Sequence, residues 1–164
     1  MSSANARKDP RSPAPTVEEA HAAIAVLARL SELYQERRAQ LAESVGLSDQ
    51  QWGVLEEIAT EHFMPSLFAR RRESSAAAVS KILRQLSEKG LVVAAIAKGD
   101  GRQRTYSLTA KGRKVMAELR KGRQDAVAEV WLALPAPGLE SFTELGKELI
   151  ARLERYAATQ DPER

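Results

Sequence analysis

From Val17 onward the apolar positions Ala20, Ile24, Leu27, Leu30, Tyr34, Leu41 and Val45 recur mostly at three- or four-residue steps, the spacing that places them on one face of an α-helix. Thr16, followed by Glu18 and Glu19, is a helix start, and Gly46 closes the element. Ser48 reads as the N-cap of a second helix with Trp52, Leu55, Ile58 and Ala59 on one face, interrupted by Phe63 and Pro65. A short third helix begins near Pro65, carries Leu67, Phe68 and the run Arg70-Arg71-Arg72, and ends before Ser74. The fourth starts at Ser74 or Ser75, turns Val79, Ile82, Leu83 and Leu86 inward, and stops at Gly90 after Lys89.

The period then changes. Leu91 to Ala97 is apolar and rich in β-formers, Lys98-Gly99-Asp100-Gly101 is a turn, and Arg104 to Leu108 alternates polar and apolar residues, which together predict a β-hairpin. Thr109 caps a helix continuing to about Leu134, with Val115, Leu119, Ala126, Val130 and Trp131 apolar. Pro135, Pro137 and Gly138 break it, and a last helix carries Leu139, Phe142, Leu145, Leu149, Ile150, Leu153 and Tyr156. Residues 1–16 hold three prolines and no hydrophobic period, and read as a flexible N-terminal arm. The expected fold is mainly α with a small β-hairpin wing: one domain over 17–164, with a winged helix-turn-helix at 47–112 between dimerisation helices at 17–46 and 113–158.

Composition narrows the chemistry. A chain of 164 residues supports one core of ordinary size, and 43% hydrophobic with 5% aromatic residues suits helices better than sandwiches or barrels. No apolar run approaches a membrane span and the N-terminus lacks a secretory h-region, so the expected location is cytoplasmic, with no membrane partner. Without cysteine there is no disulfide, thiolate metal site or thiol redox chemistry. His21 and His62 are far apart and read as ordinary helix residues, and no nucleophile–base, paired-carboxylate or cofactor motif appears, so neither an enzyme nor a metal or cofactor protein is expected. Trp131 reads as a core or dimer residue.

Charge distribution changes the picture more than the formal net charge of +3. Between Ser66 and Gly90 six basic residues stand against two acidic ones, and from Lys98 to Lys121 eight stand against two. Both flanks are net negative, so a basic centre is placed where a polyanion would bind. Two short helices followed by a hairpin are the parts of a winged helix, whose second helix enters the major groove. On residues 75–86 the leading turn is small, and Ala76, Ala77, Ser80, Lys81 and Arg84 lie on or near the face opposite the apolar one. Lys81 can donate to guanine O6 or N7, Ser80 can pair with several bases, and alanine methyls suit the thymine methyl. Ser75 is an N-cap that also offers a phosphate anchor beside free backbone N–H groups.

The stretches Leu47-Ser48-Asp49-Gln50-Gln51-Trp52-Gly53-Val54-Leu55, Val79-Ser80-Lys81 and Glu88-Lys89-Gly90-Leu91-Val92 resemble the second-helix signature and the recognition helix of the MarR (multiple antibiotic resistance regulator) family. Asp100-Gly101-Arg102 with Tyr106, Leu108-Thr109 and Gly112 is similar to that family's wing-to-helix pattern, the most specific of these elements. The resemblance implies a homodimer on an inverted-repeat operator in double-stranded DNA. It places Arg102 in the minor groove, has Asp100 brace the wing by pairing with a nearby arginine such as Arg104, and puts Lys81 where a base-reading arginine is usual. It also implies a small aromatic or phenolic effector between the dimerisation helices and the winged helix, with Tyr34 and Trp52 as candidates to line the pocket.

Two features depart from the pattern. Lysine at position 81 lacks arginine's planar fork, and the Arg70-Arg71-Arg72 run takes a place where the family often has mixed residues. Taken alone, Arg113, Lys114, Arg120 and Lys121 are a solvated helix face. The sequence therefore predicts a ligand-released repressor. Alternatives are an activator, a regulator without a small ligand, or a winged-helix protein-interaction module without an effector.

Overall fold

The computed structural model describes residues 14–60, 63–72, 74–96 and 104–160. The elements are α1 (Val17–Ser44), α2 (Asp49–Ile58), α3 (Pro65–Arg71), α4 (Ala76–Glu88), β1 (Val92–Ile96), β2 (Arg104–Leu108), α5 (Ala110–Ala126), a π-helical turn (Val127–Trp131) and α6 (Ala136–Gln160). The expected arm lies outside the described residues up to position 13, as do His62, the hairpin turn and both Asp100 and Arg102.

Helix starts follow local chemistry. Thr16 and Ser48 form capping boxes with Glu19 and Gln51, Ser75 accepts from the Ala78 N–H, and Thr109 accepts from the Gly112 N–H. Each satisfies a donor that a helix cannot pair internally. α4 gives way to the hairpin at Gly90, whose φ of +70° lies in the left-handed region that a side chain disfavours.

The core sits where α2, α4, β1 and the front half of α5 meet. Trp52, Val54, Leu55, Val79, Leu83, Leu86, Leu91, Val92 and Leu119 are buried there, joined by Phe68 of α3 and by Ala42 near the end of α1. β1 and β2 pair antiparallel, with Val92 opposite Leu108, Ala94 opposite Tyr106 and Ile96 opposite Arg104. Tyr106 fixes the hairpin to the helices by an edge contact to Phe63, which in turn meets Phe68, each at 6.0 Å between ring centres.

Two sequence expectations change at the C-terminal end. The helix expected to reach Leu134 is α-helical only to Ala126, then widens into the π-helical turn, closed by the Leu132 N–H donating to the Val127 carbonyl at 3.1 Å. Pro137 and Gly138 do not break anything: they lie in the first turn of α6, where a missing N–H leaves no helical bond unmade. α6 buries none of its residues within one chain. No described helix is long and apolar enough to cross a membrane.

Candidate nucleic-acid interface

α4 is held by one face and presents the other. Val79, Leu83 and Leu86 are buried and Ile82 half-buried, while Ser75, Ala76, Ala77, Ser80, Lys81 and Arg84 are exposed. Five of the sequence-predicted residues, Ala77, Ser80, Lys81, Arg84 and Arg104, are brought together in one groove of about 620 Å³ between α4 and the hairpin, with Ser87, Ala94 and Tyr106. Ser75 and Ala76 lie at the helix start, outside that lining. Lys81 has no ion-pair partner among the described residues, and Arg84 reaches Glu88 only at 3.9 Å with both side chains well exposed, a pairing worth little in water. The two cations are therefore available to an anionic partner. On α3, Arg70 is exposed and the Arg72 guanidinium lies 5.8 Å from the Phe68 ring centre.

A polar hub that sequence reading missed sets the other end of α4. Gln51, buried at the start of α2, donates through Nε2 to Gln85 Oε1 at 3.0 Å and accepts at Oε1 from the Ser48 N–H and from Lys89 Nζ, both at 3.2 Å. Lys89 Nζ also donates to the Gly46 carbonyl, and Lys111 Nζ donates to the Lys89 carbonyl at 2.9 Å. The α1–α2 turn, the end of α4 and the start of α5 are thereby tied together. The only available signal was a glutamine inside an otherwise apolar helix face.

A second feature lies between α1, α2 and α5. An apolar cavity of about 310 Å³ is lined by Tyr34 and Trp52, the two residues singled out as ligand candidates, with Leu30, Leu33, Leu41, Val127, Val130 and Trp131. Arg37, Arg38 and Arg123 also face it. The Arg38 guanidinium sits 4.0 Å over the Trp52 ring and pairs with Asp49 and with Glu56, the latter at 3.1 Å. Burial works against its charge, but the hydrogen bond and charge of Glu56, together with Asp49, outweigh it and raise its pKa. Glu56 also pairs with Arg123 at 3.1 Å, so one carboxylate joins α1, α2 and α5. Among the described residues the buried Trp52 indole Nε1 finds no acceptor. Among the described residues no group of three His, Asp or Glu side chains is placed to hold a metal ion.

Comparison with known proteins bears on the same region. The family model described as MarR family matches residues 45–103, which run from just after α1 through β1 and stop short of β2. Sequence comparison with curated proteins gives no match. Among solved structures, a MarR family transcription regulator superposes with a TM-score of 0.74 at 16% identity, over 90% of this chain and 95% of that one. A mutant of MepR from S. aureus bound to an oligodeoxyribonucleotide gives 0.58 at 17% identity, over 79% of this chain and 96% of that one. CouR from Rhodococcus jostii, bound to p-coumaroyl-CoA, gives 0.60 at 17% identity, over 76% and 88%.

Proposed function

We propose that the protein, whose residues 45–103 match the MarR family model, is a dimeric transcription regulator that reads an inverted repeat in duplex DNA through α4 and is released from it by a small aromatic ligand. The observation that carries the DNA reading is the exposed outer face of α4, where Ser80, Lys81 and Arg84 share one groove with Arg104 of the hairpin. A helix of this kind fits the major groove, and the hairpin follows the adjoining backbone. In this reading Ala76 and Ala77 allow close approach to base edges, Ser75 anchors a phosphate, Arg102 enters the minor groove and Asp100 braces the wing. Support for DNA as partner also comes from MepR, which shares the fold and is described with an oligodeoxyribonucleotide.

The effector part rests on the apolar cavity behind Tyr34 and Trp52, which has room for a single aromatic ring system, with Arg37 in its lining to meet an acidic group while Arg38 and Arg123 are held by Asp49 and Glu56. CouR, of the same fold, is described with an aromatic thioester bound. A ligand there acts on DNA binding only by its preference for one spacing of the two reading helices. Without cysteine, a disulfide cannot drive such a change.

Selecting duplexes from a random pool with the full chain, then measuring anisotropy against salt, tests this function. A repeated half-site and a steep fall of affinity with salt are expected; a flat salt response with no selected sequence would refute DNA reading. Adding phenols and aromatic acids should weaken operator binding, whereas peroxide at doses that spare methionine should not. Release by peroxide alone would overturn the ligand switch.

A further inference from the structure

Given the DNA reading above, on which this rests, we propose that Glu56 is a positioning residue: it locks the winged helix against α1 and the rear of α5, and so sets the spacing at which two α4 helices are presented. Glu56 is not part of the groove that α4 shares with the hairpin, so it acts through position and not through contact with DNA.

Little apolar surface holds α1 to the winged helix. Of its 28 residues only Ala42 is buried, with Leu41 and the C-cap Val45 half-buried beside it. From Arg38 back to Val17 the helix is therefore a lever of about 30 Å at the ordinary helical rise. Leu41 rests against Gly122 of α5, where an added Cβ would lie 2.6 Å from Leu41 Cδ1, so α1 and α5 meet closely at that crossing. What keeps α2 in register with both helices is polar. Glu56, in the last turn of α2, accepts at Oε2 from Arg38 Nη2 and at Oε1 from Arg123 Nη1, both at 3.1 Å. Arg38 Nε donates to Asp49 in the first turn of α2, and its guanidinium lies 4.0 Å over the buried Trp52 ring between them. Isolated surface pairs contribute little to stability. Here two arginines from different helices converge on one carboxylate, and the Arg38 and Glu56 side chains are only 19% and 28% exposed. The joint is thus fixed in direction, because each oxygen of Glu56 faces a different helix.

Glu56→Met keeps a side chain of similar length and removes both acceptors. The chain has no cysteine, so Ala25→Cys on α1 and Ser87→Cys on α4, both exposed, give two spin-label sites and no others. Doubly labelled chain diluted into an excess of unlabelled chain reports the distance within one protomer, without DNA. The parent is expected to give one narrow distribution, and Glu56→Met and Arg123→Gln to broaden or shift it. Arg123→Lys, which keeps a cation for the carboxylate, should match the parent, as should Lys121→Gln, whose cation pairs with Asp125 instead. Adding Arg123→Gln to Glu56→Met must change nothing further, since the contact is already gone. On the selected operator, unlabelled Glu56→Met should bind two half-sites about tenfold or more weaker, yet bind a duplex with one half-site scrambled within about twofold of the parent, because preset spacing matters only to the second, intramolecular engagement. Helical content equal to the parent's separates a moved joint from a lost fold. The proposal is overturned if the Glu56→Met distances superpose on the parent's, if Arg123→Gln adds its full effect in the double variant, or if both duplexes weaken alike. Failure to select any duplex overturns the DNA reading instead, and the distances then still decide whether Glu56 holds the joint.

Discussion

Gly112 shows how closely the hairpin is set against α5. A Cβ at this position would stand 2.1 Å from the Leu91 carbonyl oxygen, which already accepts from the Thr109 N–H at 3.0 Å. The obstacle is backbone, so it cannot swing aside. Gly112→Ala is expected to cost about 1–3 kcal/mol, the range for overpacking, seen as a melting temperature lower by about 2–4 °C for each kcal/mol. An unchanged melt would mean that β1 and α5 separate freely. Lys81 is the contrasting case, exposed and unpaired among the described residues, so its removal should leave stability alone. Lys81→Ala is expected to relax preference at one base position per half-site, costing about 1–3 kcal/mol there, as read by repeating duplex selection with the variant. At the N-terminus, hydrogen bonds from the Thr16 backbone and then its hydroxyl hold the Glu19 carboxyl below its usual pKa. A lowered folded-state pKa means that the stabilisation is present above the ordinary carboxylate range and is lost as pH falls through the lowered value. Protection factors of the amides in the first turn of α1, taken relative to the intrinsic exchange rate at each pH, should fall on acidification in the parent and stay level in Glu19→Gln.

At the scale of elements, what was legible in the sequence was local, and what was hidden depended on distant residues. The N-caps Thr16, Ser48, Ser75 and Thr109 bond within three residues of themselves, so the residue types alone mark the helix starts. The inward face of α4 followed for the same reason, since its apolar spacing is read within one helix. The end of α5 was not legible: Val130 and Trp131 continue the helical period, whereas the π-helical turn shows only in the bonding of Leu132 to Val127. The groove of α4 and the hairpin gathers Ala77, Ser80, Lys81, Arg84 and Arg104, which the sequence had singled out, but the Gln51 hub joins residues 34 and 38 positions apart and leaves no periodic trace. Its consequence is testable. Lys89→Met keeps much of the side chain's length and removes its donors to Gln51 and to the exposed Gly46 carbonyl, leaving the part-buried Gln51 Oε1 with the Ser48 N–H but without its charged donor. A loss of about 1–3 kcal/mol is expected on denaturant unfolding. Operator affinity should fall evenly across sequences, because the whole of α4 shifts and no single base contact is lost. A changed base preference at one position would instead place Lys89 against the DNA.

At the scale of the whole molecule, one chain does not account for its own apolar surface. α6 is 25 residues long and buries none of them, leaving Phe142, Leu145, Leu149, Ile150, Leu153 and Tyr156 exposed. α1 exposes Ile24, Leu27, Leu30 and Tyr34 over its first two thirds, the positions whose period first marked it as a helix. Monomeric proteins seldom leave apolar patches of this extent in water, and a second copy related by a two-fold axis is expected to cover both at once. In the proposed function the same axis would serve DNA reading, because two α4 helices must lie about 34–36 Å apart to enter successive turns of one groove. Sedimentation at micromolar concentration should therefore give one species of twice the 18.0 kDa chain mass. The double variant Leu145→Asp, Leu149→Asp puts two charges on the exposed face of α6 without touching the core described above. It should sediment as a monomer that keeps the parent's helical content, and its affinity for a two-half-site operator should drop to that for a single half-site. A parent that sediments as a monomer, or a variant that stays dimeric with operator binding intact, would remove α6 from the interface and leave the spacing of the reading helices without a structural basis.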